Sequence, residues 1–296
     1  MTDTRPIAFI GLGNMGGPMA ANLVRAGYPV TGFDPVPAAA ETAAGRGITV
    51  VGSAAEAVAS AQVVITMLPS GQHVLDVYAE VLDATPAGAL FIDCSTIAVD
   101  DARAAAARAV AAGHRAVDAP VSGGVVGAEA GTLTMMLGAA DAEVADATVV
   151  LEPVSGRVVH CGEVGSGQAA KICNNMILAA SMIVVSEAFV LGERLGLTHQ
   201  ALFEVASTAS GQCWALTTNC PVPGPVPASP ANRDYQPGFA SQLMVKDLSL
   251  AMRAAESTGT DTRVGALAAA IYEQYDEGRG RDFSSVIHDI RDRSEG

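Results

Sequence analysis

The chain has 296 residues, half of them apolar, with 31 acidic against 17 basic residues and a formal net charge of −14. That length suffices for two domains that each bury a core, and the acidic excess without a Lys/Arg cluster opposes binding to nucleic acid. Five cysteines without a C-x-x-C pair and five scattered histidines suggest neither a disulfide framework nor a metal site. The longest uncharged apolar run near the middle, residues 176–185, is too short for a membrane span. The N-terminus shows no signal-type pattern, so a cytoplasmic protein without a membrane partner is expected.

Taken in order, residues 5–10 form an apolar run that ends at GLGNMGG, after which Met15, Met19, Leu23 and Ala26 recur at helical spacing until Gly27. A second short strand, residues 29–33, ends at Asp34, and Pro35 and Pro37 break the chain before an alanine-rich helix. The alternation continues with a strand at 48–51, a helix capped by Ser53, a strand at 62–68, a helix from about Ser70 and a strand at 89–95. A helix at 99–112 leads to the strand RAVDAP and a second glycine-rich loop, SGGVVGAEAG. TLTMMLG and RVVHCG read as strands around an acidic helix at 141–152. This pattern predicts an α/β Rossmann-like domain over 1–164, a mostly parallel, doubly wound sheet with helices on both faces.

From Ser166 onward the periodicity is helical, which predicts an all-α domain over 165–296 for substrate binding and oligomerisation. Residues 169–195 can form one helix of roughly 40 Å at 1.5 Å per residue, long enough to join the two domains. The proline-rich segment 219–230 reads as a surface loop.

Gly11, Gly13 and Gly16 follow a strand, open a helix and precede an acid, Asp34, at the end of the next strand. That conjunction is the dinucleotide fingerprint, in which glycines allow close backbone approach and the helix N-terminus faces the pyrophosphate. Asn14 and Met15 lie inside the turn and join the cofactor set. Asp34 would accept hydrogen bonds from ribose hydroxyls and repel a 2′-phosphate, and the following PVPAAA offers no arginine to receive one, so NAD is expected over NADP. The Ser122, Gly123, Gly124 loop can present a hydroxyl and backbone N–H groups to a carboxylate, and a plain turn of small residues stays open as its alternative. In GEVGSGQAAKICNN, Lys171 and Asn175 stand one helical turn apart and project together, a pair able to move a proton and hold a hydroxyl.

Four blocks in order, FIGLGNMGGPMAANL, DAPVSGGVVGAEAGTL, GEVGSGQAAKICNN and KDLSLA, give the chain a full-length resemblance to the β-hydroxyacid dehydrogenases. ASGQCWALTTNCPVPG and SPANRDYQPGFASQLMVKDLSLA most resemble the 3-hydroxyisobutyrate dehydrogenase branch, with Gln212 a departure where a basic residue is expected. The resemblance implies that Lys171 is the catalytic lysine and that Asn175 orients the substrate. It implies that Ser122, Gly123 and Gly124 hold the substrate carboxylate, and that Leu68, Pro69, Thr96 and Lys246 lie against the cofactor. It also implies reversible, NAD-dependent oxidation of a small β-hydroxyacid, 3-hydroxyisobutyrate, as in valine breakdown, by a homodimer or homotetramer. The alternatives are a tartronate or succinic semialdehyde reductase with the same machinery, or a non-catalytic dinucleotide-binding protein of the same fold. A free lysine, with a pKa near ~10.4, is a poor base at neutral pH, so burial or a neighbouring cation such as Lys246 is expected beside Lys171.

Overall fold

The computed structural model describes residues 4–295 and divides into two compact units, one running to Lys171 and the other starting at Ile172. In the first unit nine strands form one sheet: β1 (Ile7–Ile10), β2 (Val30–Phe33), β3 (Thr49–Val50), β4 (Val63–Thr66), β5 (Leu90–Asp93), β6 (Arg115–Asp118), β7 (Val121–Ser122), β8 (Leu133–Gly138) and β9 (Ser155–Gly162). Their order is β3-β2-β1-β4-β5-β6-β8-β7, with β9 paired to β8. The first six strands are all parallel, in the doubly wound order whose direction reverses at β1. β8 runs antiparallel to β6 and β7 and parallel to β9.

The central strands are almost wholly apolar because both faces are covered. Ile7, Phe9, Val63, Ile65, Leu90 and Ile92 join a core with α1 (Gly16–Arg25) on one face. Ala8, Ile10, Val64 and Phe91 face the other way, into a core with α3 (Ala54–Val58), α4 (Gly71–Val81) and α5 (Val99–Ala111). Side chains alternate along a strand, so a fully apolar run is what a sheet buried on both faces requires. The remaining helices of this unit are α2 (Pro37–Ala44), α6 (Gly124–Ala130) and α7 (Asp141–Leu151). Strand register aligns Ile10 with Thr66, Thr66 with Asp93, and Asp93 with Asp118. One edge of the sheet therefore collects the turns that follow β1, β4, β5 and β6.

α8 (Ser166–Arg194) begins in the first unit and continues into the second. Along it, Ala179, Met182, Ile183, Phe189 and Val190 enter a core with α10 (Trp214–Thr217), α11 (Ser241–Thr258), α12 (Arg263–Gln274) and α13 (Val286–Glu295). Leu202 and Phe203, from α9 (His199–Ala206), pack against that core. Among the described residues α8 alone is long and apolar enough to cross a membrane, by length and composition. The apolar-run estimate missed this because it ended at Asn174-Asn175 on one side and Ser186-Glu187 on the other, which an average over a longer stretch tolerates. Half of the most apolar window is buried inside the protein, as in a core helix.

Two local expectations change. The segment read as a glycine-rich loop at 122–131 holds β7 and the seven-residue α6, because Gly123 at φ 137° turns the chain straight into a helix that Gly131 closes in the left-handed region. The proline-rich segment is not a plain surface loop, since Asn219, Cys220, Val222 and Ser229 are buried. The Ser229 hydroxyl donates to the Cys220 carbonyl at 2.5 Å and the Tyr235 hydroxyl to the Pro221 carbonyl at 2.7 Å, closing the segment on itself.

Candidate active site

The turn after β1 has the geometry that a dinucleotide needs. Gly11 adopts φ +95°, and a Cβ there would lie 2.3 Å from the Met67 carbonyl oxygen. A Cβ on Gly16 would lie 1.9 Å from the Gly11 carbonyl oxygen, so β1 and α1 can approach this closely only as glycines. Gly13 differs. A Cβ there would meet no protein atom within 4 Å, so packing does not require this glycine, whereas a ligand laid over the turn would. Asn14 is exposed and Met15 half-buried beside it. Asp34, just past β2, accepts the Leu12 N–H at 2.7 Å on one carboxylate oxygen and the Val36 N–H at 2.8 Å on the other. Each oxygen keeps lone-pair capacity for a ribose hydroxyl. These residues fit a nicotinamide dinucleotide.

The next strand ends along the same edge carry a buried polar network. Asp93 Oδ1 accepts from Thr66 Oγ1 at 2.7 Å and Ser95 Oγ at 2.6 Å, while Asp93 Oδ2 is buried without a hydrogen-bond partner. Burial outweighs those hydrogen bonds and pushes the Asp93 carboxyl up to about 6. Ser95 Oγ also accepts the Leu68 N–H at 2.8 Å, which fixes the turn bearing Leu68 and Pro69. Thr96 follows at the end of β5, half-buried. Asp118, one strand over, accepts the N–H of Gly165 at 2.6 Å and of Gln168 at 2.8 Å. Burial is again the larger effect, and the carboxyl rises to about 6.

Ser122 lies half-buried in β7, paired with Thr134 of β8, and Gly123 and Gly124 follow it into α6. Gly123 has a positive φ that strains any other residue, and a Cβ on it would crowd the end of the Leu133 side chain at 3.0 Å. Lys171 and Asn175 stand one turn apart on α8, and both are buried. In the second unit Asn175 Nδ2 donates to Asp247 Oδ2 at 2.5 Å, and Asn174 Nδ2 donates to Asn175 Oδ1 at 3.0 Å, so the amide of Asn175 is held in one orientation. Lys246 is half-buried on α11, next to Asp247.

Asp93, Ser95, Asp118, Gln168 and Asp247 were not picked out in the sequence as site residues. Asp118 and Asp247 had a signal, since each stands inside a block already notable for its neighbours, DAPVSGG and KDLSLA. Gln168 also stands inside such a block, GEVGSGQAAKICNN, but its side-chain partners, Ser95 and Ile97, lie more than seventy positions upstream in the chain.

The fold and the glycine turn define a dinucleotide-dependent oxidoreductase, and comparison with known proteins gives the family. Residues 6–162 match the family model of the NAD binding domain of 6-phosphogluconate dehydrogenase. Residues 165–290 match that of the NAD-binding domain of NADP-dependent 3-hydroxyisobutyrate dehydrogenase. The chain is 55% identical over 290 residues to a probable 3-hydroxyisobutyrate dehydrogenase of Mycobacterium tuberculosis, covering 98% of this chain and 99% of that one. It is 44% identical to an NAD-dependent L-serine dehydrogenase of Pseudomonas aeruginosa, covering 99% of each. A solved structure of Mycobacterium tuberculosis 3-hydroxyisobutyrate dehydrogenase with L-serine superimposes with a TM-score of 0.95 at 55% identity, covering 98% of this chain and 100% of that one. The chain belongs to the 3-hydroxyisobutyrate dehydrogenase family of β-hydroxyacid dehydrogenases.

Proposed function

We propose that the protein catalyses the reversible oxidation of 3-hydroxyisobutyrate to methylmalonate semialdehyde with NAD. Residues 1–164 act as the cofactor domain and 165–296 as the domain for substrate and assembly. The observation that carries the reading is the pair Lys171 and Asn175, two polar side chains buried one turn apart on α8. The turn containing Gly11, Gly13, Asn14, Met15 and Gly16, together with Asp34, Leu68, Pro69, Thr96 and Lys246, holds the dinucleotide, which supplies the hydride acceptor. Ser122, Gly123 and Gly124 hold the substrate carboxylate. Asn175 orients the primary hydroxyl and Lys171 Nζ takes its proton as the C–H hydride leaves, so the alcohol carbon becomes an aldehyde. In reduction the same ammonium returns the proton. Asp34 beside a 2′-phosphate would cost up to ~4 kcal/mol per charge pair at an effective dielectric of 20, which favours NAD.

A second reading, oxidation of L-serine, is supported by the serine dehydrogenase relative and by the solved structure with L-serine. L-serine shares the hydroxymethyl and carboxylate groups and puts an ammonium where 3-hydroxyisobutyrate has a methyl. Steady-state kinetics with both substrates and with tartronate and succinic semialdehydes, each with NAD and NADP, tests the proposal. The expected ranking has 3-hydroxyisobutyrate with NAD first, and a higher kcat/KM for L-serine or for NADP overturns that part. Lys171→Ala should lower kcat in both directions by roughly 10²- to 10⁴-fold with NADH affinity retained. Near-normal turnover in that variant would sink the proton-transfer role. We further propose a cytoplasmic enzyme that assembles as a dimer or tetramer. Ile177, Val184 and Leu191, exposed at seven-residue spacing on α8, support self-association, and a monomer mass in sedimentation equilibrium would refute it.

A further inference from the structure

We propose that Asp118 and Gln168 are positioning residues for the reaction. The Asp118 carboxylate caps the first turn of α8 from β6, the Gln168 amide ties that turn to the β5 loop, and together they set where Lys171 stands. The inference rests on the reading of Lys171 as the proton-transfer group.

The first N–H groups of a helix have no acceptor within it, and the residue ahead of α8 is Gly165, which has no side chain to supply one. Asp118 fills that role from the sheet, accepting Gly165 N–H at 2.6 Å and Gln168 N–H at 2.8 Å. The carboxylate, the helix and β8 approach one another so closely that only glycine fits at two positions between them. A Cβ on Gly138 would lie 2.2 Å from Asp118 Oδ1, and one on Gly167 would lie 2.2 Å from the Met136 carbonyl oxygen and 2.8 Å from Asp118 Oδ2.

Gln168, fully buried, uses both ends of its amide on one loop. Its Oε1 accepts the Ile97 N–H at 3.1 Å and its Nε2 donates to the Ser95 carbonyl at 2.7 Å. The Ser95 hydroxyl in turn receives the Leu68 N–H, so contacts run without a break from the turn bearing Leu68 to the first turn of α8. Lys171 lies three residues beyond Gln168. Over one turn a helix moves as a rigid body, so a shift of its capped end carries the lysine with it.

Asp118→Asn keeps the size and one acceptor oxygen but sets an amide N–H₂ against a backbone N–H. We expect kcat to fall about 10²-fold, as for a misplacement on the order of 1 Å, with the NADH dissociation constant from fluorescence titration changed less than about twofold. The decisive measurement is a double-mutant cycle. If Asp118 acts through Lys171, adding Asp118→Asn to Lys171→Ala costs no further activity. Gln168→Met removes both amide contacts at similar length and should lower kcat about tenfold, close to 1.4 kcal/mol, again with no added loss in the Lys171→Ala background. It carries the test if Asp118→Asn fails to bind NADH. Equal fractional losses with and without Lys171 overturn the proposal alone. Near-normal kcat in Lys171→Ala overturns the reading of Lys171 and the proposal with it.

Discussion

The two units use their buried carboxylates at different places in the chain. In the first, Asp34 and Asp118 sit at strand ends and accept backbone N–H groups, and Asp93 accepts hydroxyls from Thr66 and Ser95. These contacts fix turns, and the acids at 93 and 118 are buried so deeply that their carboxyls rise to about 6. In the second unit, Asp247 and Asp282 accept side-chain amides, from Asn175 and Asn219, and Glu193 is paired with Arg291 at 2.6 Å and His199 at 2.5 Å. Burial by itself would raise the Glu193 carboxyl, but those partners outweigh it and hold it below its ordinary range. A parallel sheet ends in a row of turns whose N–H groups need acceptors. Helices satisfy most of their own backbone, so acids in the second unit link side chains or, at Asp282, gather the N–H groups of the irregular segments between helices.

The largest expected effect is at Asp282, the acid that gathers the second unit's irregular segments. It accepts the N–H groups of Gly238, Phe239 and Ser284, the Ser284 hydroxyl and the Asn219 amide. Asp282→Ala strands several buried donors and should cost on the order of 4 kcal/mol, seen as a lowered urea midpoint with NADH affinity unchanged in native buffer. Loss of NADH affinity at unchanged stability would break the separation between the units.

Next is Asp93, where the sign of the pH dependence is the test. Between its ordinary value of 3.8 and about 6, the unfolded chain has released the proton and the folded one retains it. Stability should therefore fall as pH rises through that window, by up to about 3 kcal/mol for this carboxyl. Asp93→Asn removes this contribution and leaves that of Asp118, so urea unfolding at pH 4 and pH 7 should show a shallower decline. An unchanged difference between the two pH values would mean that Asp93 carries no such strain.

Glu193 should give the smallest effect, with the opposite sign. Its lowered carboxyl contributes stability above the unfolded value, and that contribution is lost as pH falls through the folded one. Because the pair is partly exposed, Glu193→Gln should cost no more than ~1 kcal/mol at pH 7, and less as the pH is lowered. A larger loss at acid pH would contradict the pairing.

Much of the architecture was legible in the residues themselves. The glycine turn, the acid after β2, the Ser53 cap and the long helix follow from local chemistry, since each depends on residues within one or two turns of chain. The Ser53 hydroxyl accepts the Glu56 N–H at 3.1 Å, as the spacing implied. What local pattern could not supply was burial and pairing across distance. The proline-rich segment looked solvated until Tyr235 and Ser229 closed it, and the SGGVVGAEAG stretch looked like loop because its glycines masked a short helix.

By itself the sequence determined which residues are candidates for the chemistry, because cofactor turns and helical pairs are written at fixed short spacings. Only the tertiary structure decided what holds them, because Asp118 meets Gly165 and Gln168 across about fifty residues and Asp247 meets Asn175 across 72. No periodicity records such contacts, which exist only once strand register and helix packing have brought distant segments within hydrogen-bond reach.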